Sequence, residues 1–270
     1  MQVDILGPVR VRDGDDAIDL GGPRSRALVA RLALEPGRAV GVDGLVDALW
    51  GADVPSDAHN ALQSVVSRTR RRLPDGVLRS GAGGYALDLP ADAVDAHRFE
   101  RLVREGRPHD ALALWRGEAL GDVRGAAFAD IAAARLDELR LGAVESRIER
   151  DLEAGRIDRG RLTAEAEELA AAHPYRETIW ALLMRTLVAD GRQADALGAY
   201  ERMRAGLADE LGIDPSAGLQ DLHLAILRGD PALTMPGTGK PVAPTNLRTA
   251  LTSFVGRADA VDQIRALLGE

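Results

Sequence analysis

Apolar positions recur along this chain with two periods. In residues 1–22 the period is two: Val3 and Ile5, then Val9 and Val11, alternate with polar neighbours and are broken by Gly7-Pro8. Side chains of a strand alternate between faces, so these runs predict strands, with a turn from Asp13 to Asp16 and another short strand from Ala17 to Leu20. Gly21-Gly22-Pro23 closes that sheet. From Arg24 the period becomes helical, with Leu28 and Leu32 four apart, until Pro36-Gly37. Val42, Leu45, Val46 and Leu49 give one face to a second helix ending at Trp50. A third runs from Ser56 to Leu73 and stops at Pro74-Asp75-Gly76. Val77 to Arg79 and Tyr85 to Leu87 are two β-rich runs joined by Ser80-Gly81-Ala82-Gly83-Gly84, which predicts a hairpin.

The third helix carries the candidate chemistry. Ala58, Leu62, Val65, Val66, Thr69 and Leu73 fall on one side of it, and Asn60, Ser64, Ser67, Arg68 and Arg71 on the other. One side is built to pack. The other offers groups that read base edges: a guanidinium forks onto guanine, an Asn amide onto adenine, and a serine reaches base or phosphate. Arg70 and Arg72 flank this face and are candidates to grip phosphates. Taken alone, such a helix reads first as a solvated charged face, as most arginine-rich helices are. Its setting changes that: strands, three helices and a hairpin are the order of a winged helix with an amino-terminal sheet, in which the third helix enters the major groove and the hairpin lies beside it. Arg79 on the hairpin is then a candidate for phosphate or the minor groove, against the plainer reading of an exposed hairpin charge. Trp50 reads first as a packing residue.

Residues 91–228 are helical almost throughout, with segments from Asp95 to Glu105, His109 to Trp115, Asp130 to Gly155, Arg161 to Ala172, Arg176 to Asp190, Ala194 to Leu211 and Ser216 to Leu227. Short turns pair them, and the placing of Trp180, Gly191, Ala196 and Tyr200 suggests tetratricopeptide-like packing. The domains expected are a winged helix at 1–90, a helical domain at 91–228, a Pro-, Thr- and Gly-rich linker at 229–250, and the start of a further domain at 251–270. Residues 1–90 are expected to keep a core when 91–228 are removed, and then to bind DNA weakly without activating transcription.

Charge first argues against nucleic acid, because the chain carries a net −8. The distribution reverses the point. Residues 60–80 hold five arginines against Asp75 alone, so the positive charge is local to the third helix and the hairpin. The absence of cysteine excludes disulfides and thiolate metal sites. No apolar run approaches the length of about 18 residues that spans a bilayer, and no signal pattern opens the chain, so it reads as soluble and cytoplasmic, away from membranes. Enzymatic chemistry finds no support: His59, His97, His109, His173 and His223 have no metal-binding spacing. Gly237-Thr238-Gly239-Lys240 has the look of a phosphate loop, but Thr234 stands where its first glycine belongs and Pro241 where a magnesium-binding hydroxyl belongs. No cofactor is expected, and no binding or hydrolysis of ATP.

Four stretches resemble the Streptomyces antibiotic regulatory protein (SARP) family of activators: Ile5-Leu6-Gly7-Pro8-Val9; Leu45-Val46-Asp47-Ala48-Leu49-Trp50-Gly51; Asn60-Ala61-Leu62-Gln63 with Val66-Ser67-Arg68; and Gly83-Gly84-Tyr85-Ala86-Leu87. Gly191-Arg192-Gln193-Ala194-Asp195-Ala196-Leu197 and Glu210-Leu211-Gly212-Ile213-Asp214-Pro215 resemble its bacterial transcriptional activator domain. Thr69 departs from the leucine usual there, which predicts slightly weaker packing of the third helix, and Val65 replaces a common aromatic. Leu251 to Arg257 resembles the run before a STAND-type nucleotide-binding domain in large members. The resemblance implies a mainly α protein, an OmpR-type winged helix-turn-helix followed by the helical activator domain. It implies an activator binding direct repeats that overlap the −35 element as two protomers side by side, and controlling antibiotic genes. RNA polymerase, through its sigma factor and alpha carboxy-terminal domain, is the implied partner. Gln63 and Tyr85 join the candidate DNA contacts, and Trp50, Gly51, Asp53 and Val54 become candidate polymerase contacts. The alternative is a helical signalling adaptor whose winged helix binds protein and not DNA.

Overall fold

The computed structural model describes residues 1–233 except 82, 156 and 157. The expected linker from residue 234 onward, the phosphate-loop look-alike and the start of a further domain lie outside the described residues.

Strands β1 (Gln2–Asp4), β2 (Arg10–Asp13) and β3 (Asp16–Ile18) pair antiparallel in that order, setting Val3 opposite Val11 and Val11 opposite Ile18. That register puts the apolar side chains on one face, where Val3 and Val11 are buried. Helix α1 (Pro23–Ala33) opens with a proline, whose missing N–H costs nothing in a first turn, and buries Leu28, Val29 and Leu32. It packs against α2 (Val42–Trp50) and α3 (Ala58–Arg70). The hairpin is β5 (Leu78–Gly81) and β6 (Gly84–Leu87). A strand that the pattern did not show, β4 (Val40–Gly41), pairs with β6, so the order in this second sheet is β4-β6-β5.

The second half contains α4 (Asp95–Arg104), α5 (Pro108–Leu112), α6 (Ala127–Ala154), α7 (Arg159–Ala172), α8 (Glu177–Ala189), α9 (Gln193–Leu211) and α10 (Ala217–Leu227). The fold is mainly α, a winged helix followed by paired helices, as the pattern implied. The helix expected from His109 to Trp115 is shorter, because the chain after Leu112 turns back onto the amino-terminal strand. There the Arg116 N–H donates to the Leu6 carbonyl at 2.8 Å and the Leu120 N–H to the Ile5 carbonyl at 2.8 Å. Leu120 takes a left-handed φ of 57° to do so and is fully buried.

The apolar core does not stop at residue 90. One continuous cluster runs from Val3 to Ala143 and includes Val94, Phe99, Leu120 and Leu136. A second runs from Ala166 to Ile226 across α7 to α10, and Ile148, Leu162 and Leu182 form a third between them. Helix α6, about 42 Å long at 1.5 Å per residue, leaves the first cluster and enters the third. The expectation that residues 1–90 hold a core by themselves is therefore revised.

Asp95 is the polar joint of the first cluster. It is buried, and its carboxylate accepts the N–H groups of Ile5 (2.7 Å) and Leu6 (3.0 Å), with Arg116 Nη2 at 3.8 Å. Burial pushes the Asp95 carboxyl above its usual range, although the two N–H bonds and Arg116 favour the charged form. A folded value above the unfolded one gives stability that is full below the unfolded value and is lost as pH rises through the folded one. Asp95→Asn does not titrate. It is expected to lower stability overall, by about 1–3 kcal/mol for the N–H left without an acceptor, and to remove that fall with pH. Denaturant midpoints of both proteins across the acid range check this; parallel curves would refute it.

Candidate nucleic-acid interface

Helix α3 buries Leu62, Val65, Val66 and Thr69. Thr69 is fully buried, and its hydroxyl donates to the Val65 carbonyl at 2.9 Å, so the hydroxyl at a packing position is satisfied within the helix. Asp57 caps the helix: its carboxylate accepts the Asn60 backbone N–H at 3.1 Å and the Asn60 side-chain amide at 2.5 Å. The backbone bond from Asn60, then the side-chain one, holds the Asp57 carboxyl below its usual value. The Asn60 amide nitrogen is thus engaged in the cap.

The remaining candidates divide into two groups. Gln63, Ser64, Ser67, Arg68 and Arg71 are exposed, and their side chains have no hydrogen-bond or ion-pair partner among the described residues. The other arginines are held by the fold. Arg70 donates through Nε to the Leu78 carbonyl (3.0 Å) and through Nη2 to Ser80 Oγ (3.0 Å), tying α3 to the hairpin. Arg72 reaches the loop after β3, donating to the Asp19 carbonyl at 3.1 Å and to its carboxylate at 3.3 Å. Arg79 donates to the Gly76 carbonyl at 3.1 Å and pairs with Asp88. Tyr85 stands half-buried on the central strand of the second sheet, opposite Val40 and Ser80.

Trp50 is half-buried against the first core cluster, with the Arg24 guanidinium 5.5 Å from its ring centroid. After it the chain turns at Gly51, whose φ of 52° suits a residue without a side chain. Gly51, Asp53 and Val54 are exposed, Val54 by 49%. Sequence reasoning misses Arg24. In the pattern it is only the start of a helix, and nothing local shows that a residue of α1 stands beside α3. Among the described residues no group of acidic and histidine side chains is placed to hold a metal ion, and no helix is long and apolar enough to cross a membrane.

Residues 94–227 match the bacterial transcriptional activator domain. The chain is 37% identical to the regulatory protein DnrI of Streptomyces peucetius, over 90% of this chain and 98% of that protein. It belongs to the Streptomyces antibiotic regulatory protein family.

Within this family the chain is also 38% identical to the transcriptional regulator RedD of Streptomyces coelicolor, over 91% of this chain and 76% of RedD. It is 39% identical to AfsR of the same organism, but there it spans 28% of the relative's length. Among solved structures, Mycobacterium tuberculosis EmbR in complex with a low-affinity phosphopeptide superposes with a TM-score of 0.76 at 35% identity, covering 84% of this chain and 65% of that one. Membership makes the chain a transcriptional regulator.

Proposed function

We propose that the chain is a DNA-binding transcriptional activator of antibiotic-biosynthesis genes. In this reading α3 enters the major groove, and the β5–β6 hairpin lies along the adjoining backbone. Two protomers occupy direct repeats at the −35 element. The exposed loop from Gly51 to Pro55, with Trp50 behind it, meets RNA polymerase at its sigma factor and alpha carboxy-terminal domain. The helices of residues 91–228 couple the protomers. No cofactor is invoked.

The observation that supports this best is the division of arginines on and around α3. Arg70, Arg72 and Arg79 are fastened to the protein, whereas Arg68 and Arg71 stand unpaired beside Gln63, Ser64 and Ser67. A side chain held by the fold contributes to shape. An exposed guanidinium without a carboxylate keeps its full charge for a partner.

Arg68→Ala and Arg71→Ala are each expected to weaken binding to the operator by about 1–3 kcal/mol while changing binding to random duplex far less. Titration of specific and random duplexes measures this, and equal losses on both would assign these arginines to phosphate alone. The protein-binding alternative parts from this reading in salt. DNA affinity must fall steeply as salt rises, because bound arginines release counterions.

A further inference from the structure

A depression of about 350 Å³ opens beside the exposed face of α3, lined by Arg24 of α1, Trp50 of α2, Asp53 and Pro55 of the loop, and Ala61, Ser64, Val65 and Arg68 of α3. Three helices converge here, and two guanidinium groups share one concavity with a serine hydroxyl. Ser64 and Arg68 stand one turn apart on α3, so both face the opening. Neither Arg24 nor Arg68 has an ion-pair partner among the described residues, and Asp53 is the single carboxylate in the lining. Arg24 is instead held over the Trp50 ring, 5.5 Å from its centroid. An aromatic face orients a guanidinium without cancelling its charge, as a carboxylate would. The first turn of α1 adds the partial positive charge of a helix amino terminus, with no side-chain cap on it.

We propose that Arg24 and Ser64 clamp a backbone phosphate of the duplex flanking the bases that α3 reads, with Trp50 as the residue that positions Arg24 and Arg68 left to the base edges. This rests on the reading of α3 as the recognition helix. Guanidinium groups donate paired, charge-assisted hydrogen bonds to phosphate oxygens, and a serine hydroxyl supplies a further donor. Phosphate contacts fix the register of a protein on DNA and carry no sequence information themselves. Arg24 thus sets how α3 lies in the groove, while Gln63, Ser67, Arg68 and Arg71 select the bases.

The test titrates the full chain, Arg24→Ala, Arg24→Lys, Trp50→Leu and the double variant against operator and random duplexes over a range of salt. Arg161→Ala on α7 serves as a charge-matched control. Arg24→Ala is expected to lose about tenfold in affinity on both duplexes and to lower the salt slope by about one, with Arg161→Ala unchanged. Arg24→Lys keeps the charge and is expected to keep the slope. Trp50→Leu is expected to weaken binding in the wild-type background but to add nothing to Arg24→Ala, a non-additivity that a merely structural tryptophan would not show. If the wild-type chain binds duplex and Arg24→Ala matches it in affinity and slope, the clamp is refuted while the DNA-binding reading stands. If the wild-type chain binds no duplex, both fall together.

Discussion

A chain cut after residue 90 is expected to lose its cooperative unfolding transition, whereas one cut after Gly155 keeps it. The shorter fragment contains both sheets and all three helices of the winged helix, yet its amino-terminal strand is covered by residues beyond the cut. Ile5 and Leu6 give their N–H groups to Asp95, their carbonyls accept from Leu120 and Arg116, and the Val9 N–H donates to Asp122 at 2.8 Å. Val94, Phe99, Leu120 and Leu136 close the apolar cluster over Val3, Ile5 and Leu6. Each aliphatic side chain returned to water costs about 1.5–3 kcal/mol. Uncovering several at once approaches the whole stability of a domain, about 5–15 kcal/mol. The longer fragment retains the first cluster entire, since its last member is Ala143. Thermal unfolding followed by circular dichroism distinguishes them. A sharp transition in the fragment ending at residue 90 would show that the winged helix needs nothing beyond itself.

The second large effect is expected at Gly84, where β6 crosses β4. A Cβ added there would lie 2.0 Å from the Val40 carbonyl oxygen, 2.7 Å from its carbon and 3.0 Å from the Gly41 Cα. All three are backbone atoms of the paired strand, so no rotamer change relieves the clash. Gly84→Ala must push β4 from β6 and break the pairing of Val40 with Tyr85 and Gly41 with Gly84. The cost is expected at the upper end of overpacking effects, about 3 kcal/mol or more. Because Arg70 fastens α3 to β5, DNA affinity should fall with stability. Gly83→Ala is a control for backbone strain without a clash: its φ of 80° is strained for alanine, but nothing lies within 4 Å of the added atom. If Gly84→Ala unfolds at the wild-type temperature, the close crossing is not a constraint.

Much of this was legible because periodicity reports which side of an element is covered. The buried side of α3 matches the apolar positions Leu62, Val65, Val66 and Thr69, and the helices of the second half were placed by the same signal to within a few residues. β4 was not legible, because two residues are too short to show any period. The fates of Arg70, Arg72 and Arg79 were not legible either. A helical projection says that an arginine points outward, but not that a carbonyl of the hairpin or the Asp19 carboxylate waits within 3.3 Å. Arg24 was hidden for a related reason: forty residues separate it from Ser64, and only folding brings them to one concavity. The joint at Asp95 lay at the boundary that composition drew between the halves, where a change from mixed to helical pattern reads as a seam.

That joint bears on how chimeras of these regulators are built. A graft that exchanges residues 1–90 between relatives would bring a foreign amino-terminal strand to the Asp95, Arg116, Leu120 and Asp122 of the recipient, and its side chains to a foreign Phe99. A smaller exchange, residues 57–88, carries α3 with its Asp57 cap, the hairpin that Arg70 fastens to it and the Arg79–Asp88 pair, and leaves the recipient's own amino-terminal strand seated where it was; the recipient's β4 and the residue at position 19 then become the contacts that must match.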